Sequence, residues 1–221
     1  MKVKVSGERL LVPLSICVLA VAGPMGCGGT AVEVVSRTDP AYSSRPATGG
    51  ETTFGLDYRD FEYVAKMAVD SFLNSPLSRK PGSNAPWVMA ISRIVNDTTL
   101  HFDTDQLVKK IRVALLNSGR VVTTTAVAAG GPLDRMSAQI RELQNSDLFN
   151  QKTVAKRGTM VAPELSLSGK IIQRTNKVGG KQQVDYYFQL AATNIETGLA
   201  YWEFEKVIAK LGKDSNFSWD P

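Results

Sequence analysis

The sequence has very few of the residues on which metal and nucleophilic chemistry depend. Its 221 residues include two cysteines and one histidine, and this histidine, His101, has Asp97 and Asp103 as its nearest acidic neighbours in the chain. A metal centre would need further ligands, and no nucleophile elbow, paired-cysteine motif, metalloprotease helix or phosphate-binding loop occurs. We interpret His101 as a solvated residue at a helix entry. The sequence therefore predicts a protein that is not an enzyme, with no cofactor, metal or small-molecule substrate.

The excess of positive over negative charge is also small. The formal net charge is +5, and residues 1–9 contribute +2 of it (three bases minus one acid), which leaves about +3 for the rest. Proteins that bind nucleic acid neutralise many phosphates and need a strongly basic surface. So small an excess predicts no nucleic-acid partner.

No apolar run is long enough for a permanent transmembrane helix. Residues 10–22 are uncharged and mostly apolar, but this run is only about a dozen residues long, and spanning a bilayer takes about 20. The run follows the basic start of the chain, and a basic end before a short apolar core is typical of a secretory signal. We therefore expect the chain to be exported.

The fate of Cys27 depends on where this signal is cleaved. Residues 20–22 (Ala-Val-Ala) form a small-x-small site, which would give a soluble product beginning at the next residue. Gly26-Cys27 instead resembles a bacterial lipobox, in which the cysteine is acylated and becomes the first residue. Because Cys17 lies in the discarded segment, a soluble product would carry one unpaired thiol in an oxidising compartment. We therefore favour a lipoprotein signal over residues 1–26 and attachment to the lipid bilayer through an acylated (palmitate-bearing) Cys27.

The residue after the cysteine and the segment that follows bear on location. Gly28 is not the aspartate that resembles an inner-membrane retention signal, so we expect the periplasmic face of the outer membrane. Residues 27–56 are rich in Gly, Thr, Ser, Ala and Pro, which predicts a flexible tether. Such a tether reaches about 100 Å when fully extended but spans nearer about 30 Å as a coil. The domain beyond it is therefore expected to work near its membrane.

Residues 57–211 are predicted to form one globular domain, followed by a tail over residues 212–221. A first helix begins at the N-cap Asp57 and ends before Pro76. Its inward face is predicted to consist of Phe61, Val64, Ala65, Ala68 and Phe72. The apolar, β-rich residues 87–95 that follow predict a buried strand.

The middle of the chain predicts two more helices around a short strand. Asp103 and Gln106 indicate a capping box, and Gly119 ends the second helix. Its buried stripe is predicted to be Leu107, Ile111, Ala114 and Leu115. Residues 120–127 predict a short strand, and Pro132 then begins a third helix. The residues of this third helix predicted to face inward are Leu133, Met136, Ile140 and Leu143.

The last third changes to the alternation of β-strands. Strands are predicted over residues 164–174, 184–193 and 199–208, with turns at Gly179-Gly180 and Thr197-Gly198 that join them into an antiparallel meander. The residues expected to face the core are Val184, Tyr186, Phe188, Leu190, Trp202, Phe204 and Ile208. The predicted fold class is therefore α/β, with a mixed sheet of four to five strands, a C-terminal antiparallel meander and three to four helices.

A basic, tyrosine-bearing surface near the glycine hairpin is the candidate contact site for a protein partner. The residues assigned to this site are Lys170, Arg174, Lys177, Lys181, Tyr187 and Tyr201. Exposed tyrosines favour protein contacts because they provide area at little cost in rotamer entropy. An ordinary solvated hairpin is the alternative.

Three stretches, AISRIVNDTT, DTDQLVKKIRVALLNSGRVVTT and FQLAATNIETGLAYWEFEKVI, together resemble the LpoB family of lipoproteins. The most specific pieces are Asn96-Asp97-Thr98, the helix that ends in Ser118-Gly119, and Thr197-Gly198 followed by Trp202. They are fold markers rather than catalytic motifs. Weaker forms occur in curli-secretion lipoproteins and in the amino-terminal domain of TolB.

The resemblance implies a regulator without catalytic activity, anchored in the outer membrane, that binds and activates a bifunctional penicillin-binding protein and so raises peptidoglycan synthesis. The tether here is shorter and has fewer prolines than that of the best-studied members. A lipoprotein subunit of a secretion or envelope-assembly complex, similar to the curli-secretion or TolB relatives, is the alternative function.

Overall fold

The computed structural model describes residues 33–34, 54–127 and 134–212. In chain order its elements are β1 (Glu33–Val34), α1 (Tyr58–Asn74), β2 (Trp87–Asp97), α2 (Asp105–Asn117), β3 (Val121–Thr123), α3 (Met136–Glu142), β4 (Leu165–Val178), β5 (Lys181–Asn194) and β6 (Ala200–Gly212). The predicted signal, Cys27, most of the predicted tether, Pro132, Leu133 and residues 213–221 lie outside the described residues. Within the described residues, no helix is long and apolar enough to cross a bilayer.

All of these strands belong to one mixed sheet with the order β1-β6-β5-β4-β2-β3. The strands β4, β5 and β6 form the predicted antiparallel meander, whereas β2 pairs in parallel with both β3 and β4. The tight turn between β4 and β5 uses Gly179 and Gly180 at φ of 57° and 74°, which residues with a side chain rarely adopt. Apart from the two-residue β1, the sheet has five strands, and the predicted fold class is confirmed.

Both long helices cover one face of this sheet, here called the inner face, and the opposite face is called the outer face. The alternation of β5 directs Val184, Tyr186, Phe188 and Leu190 into the core, as predicted. The buried sides of α1 and α2 meet these side chains in a single hydrophobic cluster. At its centre Phe188 packs edge-on against Phe61 of α1, with ring centroids 6.2 Å apart.

The helix α1 begins as predicted, at the N-cap Asp57. The Asp57 carboxylate accepts hydrogen bonds from the backbone N–H groups of Arg59 (2.8 Å) and Asp60 (3.2 Å), and the Asp60 carboxylate accepts from the Asp57 N–H at 2.8 Å. Burial opposes ionisation of Asp57, but the bonds from Arg59 and the charge of Lys210 outweigh burial and lower the pKa of this carboxyl. Asp60, Phe61, Val64, Ala65, Ala68, Val69 and Phe72 are buried. The predicted apolar face is confirmed.

The capping box predicted for α2 forms only in part. Thr104, directly before the helix, already has helical dihedral angles and makes no side-chain capping bond. The capping bond comes from Asp103, as predicted, because its carboxylate accepts from the N–H of Asp105 at 2.8 Å. The Gln106 N–H donates to the Asp103 backbone carbonyl and not to its carboxylate. Leu107, Val108, Ile111 and Leu115 are buried, and Ala114 is only partly buried. Gly119, at φ 69°, follows the helix end as predicted.

The predicted packing of α3 is wrong as well. None of the described residues of α3, Met136–Glu142, is buried, and Met136 and Ile140 are 59% and 39% exposed. The preceding strand covers only Val121–Thr123 of the predicted residues 120–127. A helical period shows that a segment has an apolar side, but a second element must lie against that side before it is buried.

Candidate docking surface

The outer face of the sheet carries an apolar row across the meander. Strand register places Ile172, Tyr187 and Val207 side by side on β4, β5 and β6, and each is half-buried. Because α1 and α2 pack on the inner face, this row keeps part of its aromatic and aliphatic area accessible. We define this row, together with the charged residues beside it, as the candidate docking surface.

Charged side chains of opposite sign border this row. On β4 the exposed Lys170 and Arg174 lie on either side of Ile172, and the Lys170 ammonium is 2.6 Å from the Asp97 carboxylate of β2. On β6 the exposed Glu205 accepts a hydrogen bond at 2.8 Å from the amide of Gln189 on β5. The bases of β4 on the outer face therefore lie between acids, Asp97 on β2 and Glu205 on β6, and the buried Asp185 of β5 is paired opposite Arg174.

The structure brings together only some of the six residues predicted to bind a partner. Lys170, Arg174 and Tyr187 lie on the outer face within neighbouring rows of the sheet. Lys181 shares this face at the hairpin end, opposite Val178. By strand alternation Lys177 lies on the other side of the sheet.

Tyr201 lies far from the glycine hairpin. It occupies a bulge of β6, between Ala200 paired to Thr193 and Trp202 paired to Ala192, and is 43% exposed. Since strands rise by about 3.4 Å per residue, the 12 positions from Lys181 to Thr193 separate Tyr201 from the hairpin by about 40 Å. One partner domain contacting both ends would have to cover the length of the meander.

The loop that contains His101 is organised by the amide of Asn96. Its Nδ2 donates to the Leu100 carbonyl at 2.8 Å, and its Oδ1 accepts from the Thr98 N–H at 3.1 Å and hydroxyl at 2.7 Å. His101 itself is exposed. Across the described residues, no group of three His, Cys, Asp or Glu is arranged to hold a metal ion.

A buried polar cluster, missed from the sequence, holds the start of the domain. The Lys210 ammonium is 2.8 Å from the Asp60 carboxylate, with side-chain exposures of 2% and 1%, and it also donates to the Gly55 carbonyl. Beside it the Tyr186 hydroxyl donates to the Phe54 carbonyl at 2.9 Å. Burial, with a contribution from the charge of Asp60, raises the pKa of Tyr186, so this hydroxyl stays protonated and donating. The sequence feature that could have indicated this cluster is a lysine at an inward position of β6, two residues after Ile208.

Comparison with protein families gives the class of this domain. The family model described as peptidoglycan-synthase activator LpoB matches residues 60–208, more than half of the chain. The chain belongs to the LpoB family. LpoB proteins activate peptidoglycan synthases, the penicillin-binding proteins, and act as regulators rather than as catalysts. The resemblance seen in the sequence is thereby confirmed.

The solved structures that the chain matches include two of LpoB. The LpoB C-terminal domain from Escherichia coli is 13% identical, with 67% of this chain and 97% of that chain covered and a TM-score of 0.39. The NMR structure of Escherichia coli LpoB is 11% identical, and the match covers 95% of this chain and 88% of that chain with a TM-score of 0.35. Lipoprotein GNA1162 from Neisseria meningitidis is 10% identical, and the match covers 61% of this chain and 88% of that chain with a TM-score of 0.32. No curated protein sequence matches the chain.

The residues that carried the LpoB resemblance have structural roles in this domain. Asn96 organises the loop after β2, and Gly198 takes φ 71° in the turn before β6. In the same turn Thr197 donates from its N–H to the Asn194 side chain at 2.9 Å. Trp202 packs edge-on against Phe72 at 5.6 Å. These residues maintain the fold, which agrees with a family that acts by binding.

Proposed function

We propose that this chain is a lipoprotein of the outer membrane, facing the periplasm, that binds and activates a bifunctional penicillin-binding protein. The observation that carries the proposal is the match of the LpoB family model over residues 60–208. The export signal and Cys27 predicted from the sequence support the anchored location.

Activation by a protein without chemistry of its own must come from differential binding. If the synthase exchanges between a less active and a more active conformation, an activator that binds the active one more tightly shifts the population toward it. A tenfold shift requires about 1.4 kcal/mol of preference, within the range of about 1–3 kcal/mol typical of allosteric coupling. A modest contact surface can supply this.

The candidate docking surface has the composition of a small binding patch. Tyrosine and arginine are enriched among residues that dominate binding energy, and Tyr187 lies beside Lys170 and Arg174. The placement of the β4 bases between acids on β2 and β6 would orient a partner of complementary charge. We therefore assign the synthase contact to this surface and centre it on Tyr187.

Replacing Tyr187 with alanine is expected to weaken binding to the purified synthase about tenfold, or about 1.4 kcal/mol. Affinity falls because the substitution removes the central aromatic side chain of the candidate docking surface. Isothermal titration calorimetry measures the change. Tyr58→Ala is the matched control, because Tyr58 is 62% exposed at the start of α1, away from the sheet. Equal affinities for the Tyr187→Ala variant and the unaltered protein would exclude this surface as the contact.

Replacing Cys27 with serine is expected to abolish incorporation of a clickable palmitate and, with the signal cleaved at the small-x-small site of residues 20–22, to move the protein from the membrane to the soluble periplasmic fraction. The reason is that acyl chains provide the membrane affinity. Labelling in cells followed by fractionation measures both effects. If the unaltered chain takes up no palmitate, the lipoprotein part of the proposal fails while the synthase contact is still open to direct measurement.

Mild crosslinking in membranes, followed by capture of the tagged full chain, identifies the partner. Recovery of a penicillin-binding protein supports the proposal. Recovery of ring-shaped oligomers of the chain itself, without a synthase, would favour the secretion or envelope-assembly alternative.

A further inference from the structure

The connection between β3 and β4 carries an unusual share of exposed apolar side chains. Among its described residues, the exposed large apolar ones are Val127, Met136, Ile140, Leu148, Phe149, Met160 and Val161. Leu148 is 91% exposed and Val161 69%. An apolar residue this exposed costs solubility unless another surface covers it, and the concentration of several in one connection points to contact with such a surface.

The tip of this connection is ordered by its own hydrogen bonds. The Gln151 side-chain amide donates to the backbone carbonyls of Leu143 (3.1 Å), Ser146 (2.6 Å) and Phe149 (3.1 Å). Immediately after it, the Thr153 N–H and hydroxyl both donate to the Asn150 carbonyl. The turn that presents Leu148 and Phe149 is therefore held in place before any contact forms, which lowers the entropy cost of binding.

Beyond the exposed Asp147, which directly precedes Leu148, the charge of the tip has a single sign. Residues 148–163 contain three bases, Lys152, Lys156 and Arg157, and no acid, and all three bases are exposed. Apolar side chains beside lysine and arginine are typical of segments that lie in the interface of an anionic bilayer. A pocket on a protein partner would need apolar contacts too, but three bases with no acid between them suit an anionic lipid surface better.

We propose that residues 148–161, here called the insertion loop, dock the domain on an anionic lipid surface. Leu148 and Phe149 enter the boundary between headgroups and acyl chains, and Lys152, Lys156 and Arg157 contact lipid phosphates. This inference goes beyond the proposed function, because it concerns how the folded domain meets the bilayer and not how it activates a synthase. The domain then has a membrane contact of its own, in addition to the predicted acyl anchor.

A fluorophore on the insertion loop tests this with the full chain. Cys17 and Cys27 are replaced by serine, and Leu148→Cys is labelled with nitrobenzoxadiazole. With vesicles of phosphatidylethanolamine and phosphatidylglycerol, we expect blue-shifted emission that lipids brominated on their acyl chains quench. Adding Lys152→Gln should lower the ratio of inserted to free loop about fivefold, because each base near an anionic surface contributes about 1 kcal/mol. Raising the salt concentration should lower it as well.

Matched variants separate loop insertion from general membrane contact. The same label on Leu116→Cys, at a leucine of α2 that is 44% exposed, should keep its aqueous emission, and Lys109→Gln should leave insertion unchanged. Circular dichroism confirms that each variant is folded. The proposal is overturned if the Leu148 label keeps aqueous emission with anionic vesicles, or if it inserts equally into phosphatidylcholine and ignores Lys152→Gln. It is also overturned if only the purified synthase shifts the label, which would assign the loop to a protein contact.

Discussion

Replacing Lys210 with alanine is expected to lower the free energy of unfolding by about 3–5 kcal/mol. The Lys210 ammonium and the Asp60 carboxylate are almost completely buried and 2.8 Å apart. Removing the lysine leaves the Asp60 charge without its counter-ion and the Gly55 carbonyl without this donor. The cost comes mainly from the uncompensated buried carboxylate, and urea unfolding followed by circular dichroism measures it.

Two further variants test whether the buried charge is the cause. Lys66→Ala removes one partner of the Lys66–Asp70 pair on the surface of α1, where the exposures are 73% and 50%, so less than about 1 kcal/mol should be lost. The double variant Asp60→Leu with Lys210→Met removes both buried charges and should recover part of the loss, because the capping bond from the Asp57 N–H to Asp60 is lost as well. If Lys210→Ala costs no more than Lys66→Ala, the pair does not stabilise the domain as described.

Replacing Gly169 with alanine is expected to cost about 2–3 kcal/mol, toward the upper end of the range for overpacking. A Cβ at this position would lie 2.5 Å from Cδ2 of Leu190 and 2.6 Å from the backbone carbonyl oxygen of Gln189. The leucine can rotate away, but the carbonyl belongs to β5, so the two strands must separate. Gly169 also pairs with Ile94, directly after the irregularity in β2, and glycine inside a strand commonly marks such a close approach.

The neighbouring residue provides the control for this variant. Ser168→Ala alters the adjacent, outward-facing position of β4, and its effect should stay within about 0.5 kcal/mol. The same urea titration measures both changes. A Gly169→Ala protein as stable as Ser168→Ala would mean that β4 and β5 have room for a side chain at this point.

Local patterns in the sequence were enough to predict several elements correctly. The helical period from Phe61 to Phe72 and the N-cap at Asp57 predicted α1, and strict alternation from Val184 to Leu190 predicted β5 and its buried side. These features depend on backbone geometry over a few residues, and the two periodic patterns are repeated several times along their elements. The family resemblance likewise rested on short segments, and the match over residues 60–208 confirms it.

The candidate site was predictable only in part. Alternation indicated that Tyr187 faces away from the core, and the structure agrees. It could not show that Tyr201 lies about 40 Å from the hairpin, because that distance depends on how β5 and β6 pair along their full length. The grouping of Tyr187 with Lys170 and Arg174 follows from the same register between strands.

By itself, the sequence determined the type and approximate extent of most elements, the inward side of α1 and β5, and the family. Only the tertiary structure decided that β2 pairs in parallel with β4, that Met136 and Ile140 are exposed, and that Lys210 meets Asp60 across 150 residues of chain. The physical reason is the range of the interactions. Periodicity and turn residues act over a few positions, whereas strand pairing, burial and the neutralisation of a buried charge depend on residues that only the folded chain brings together.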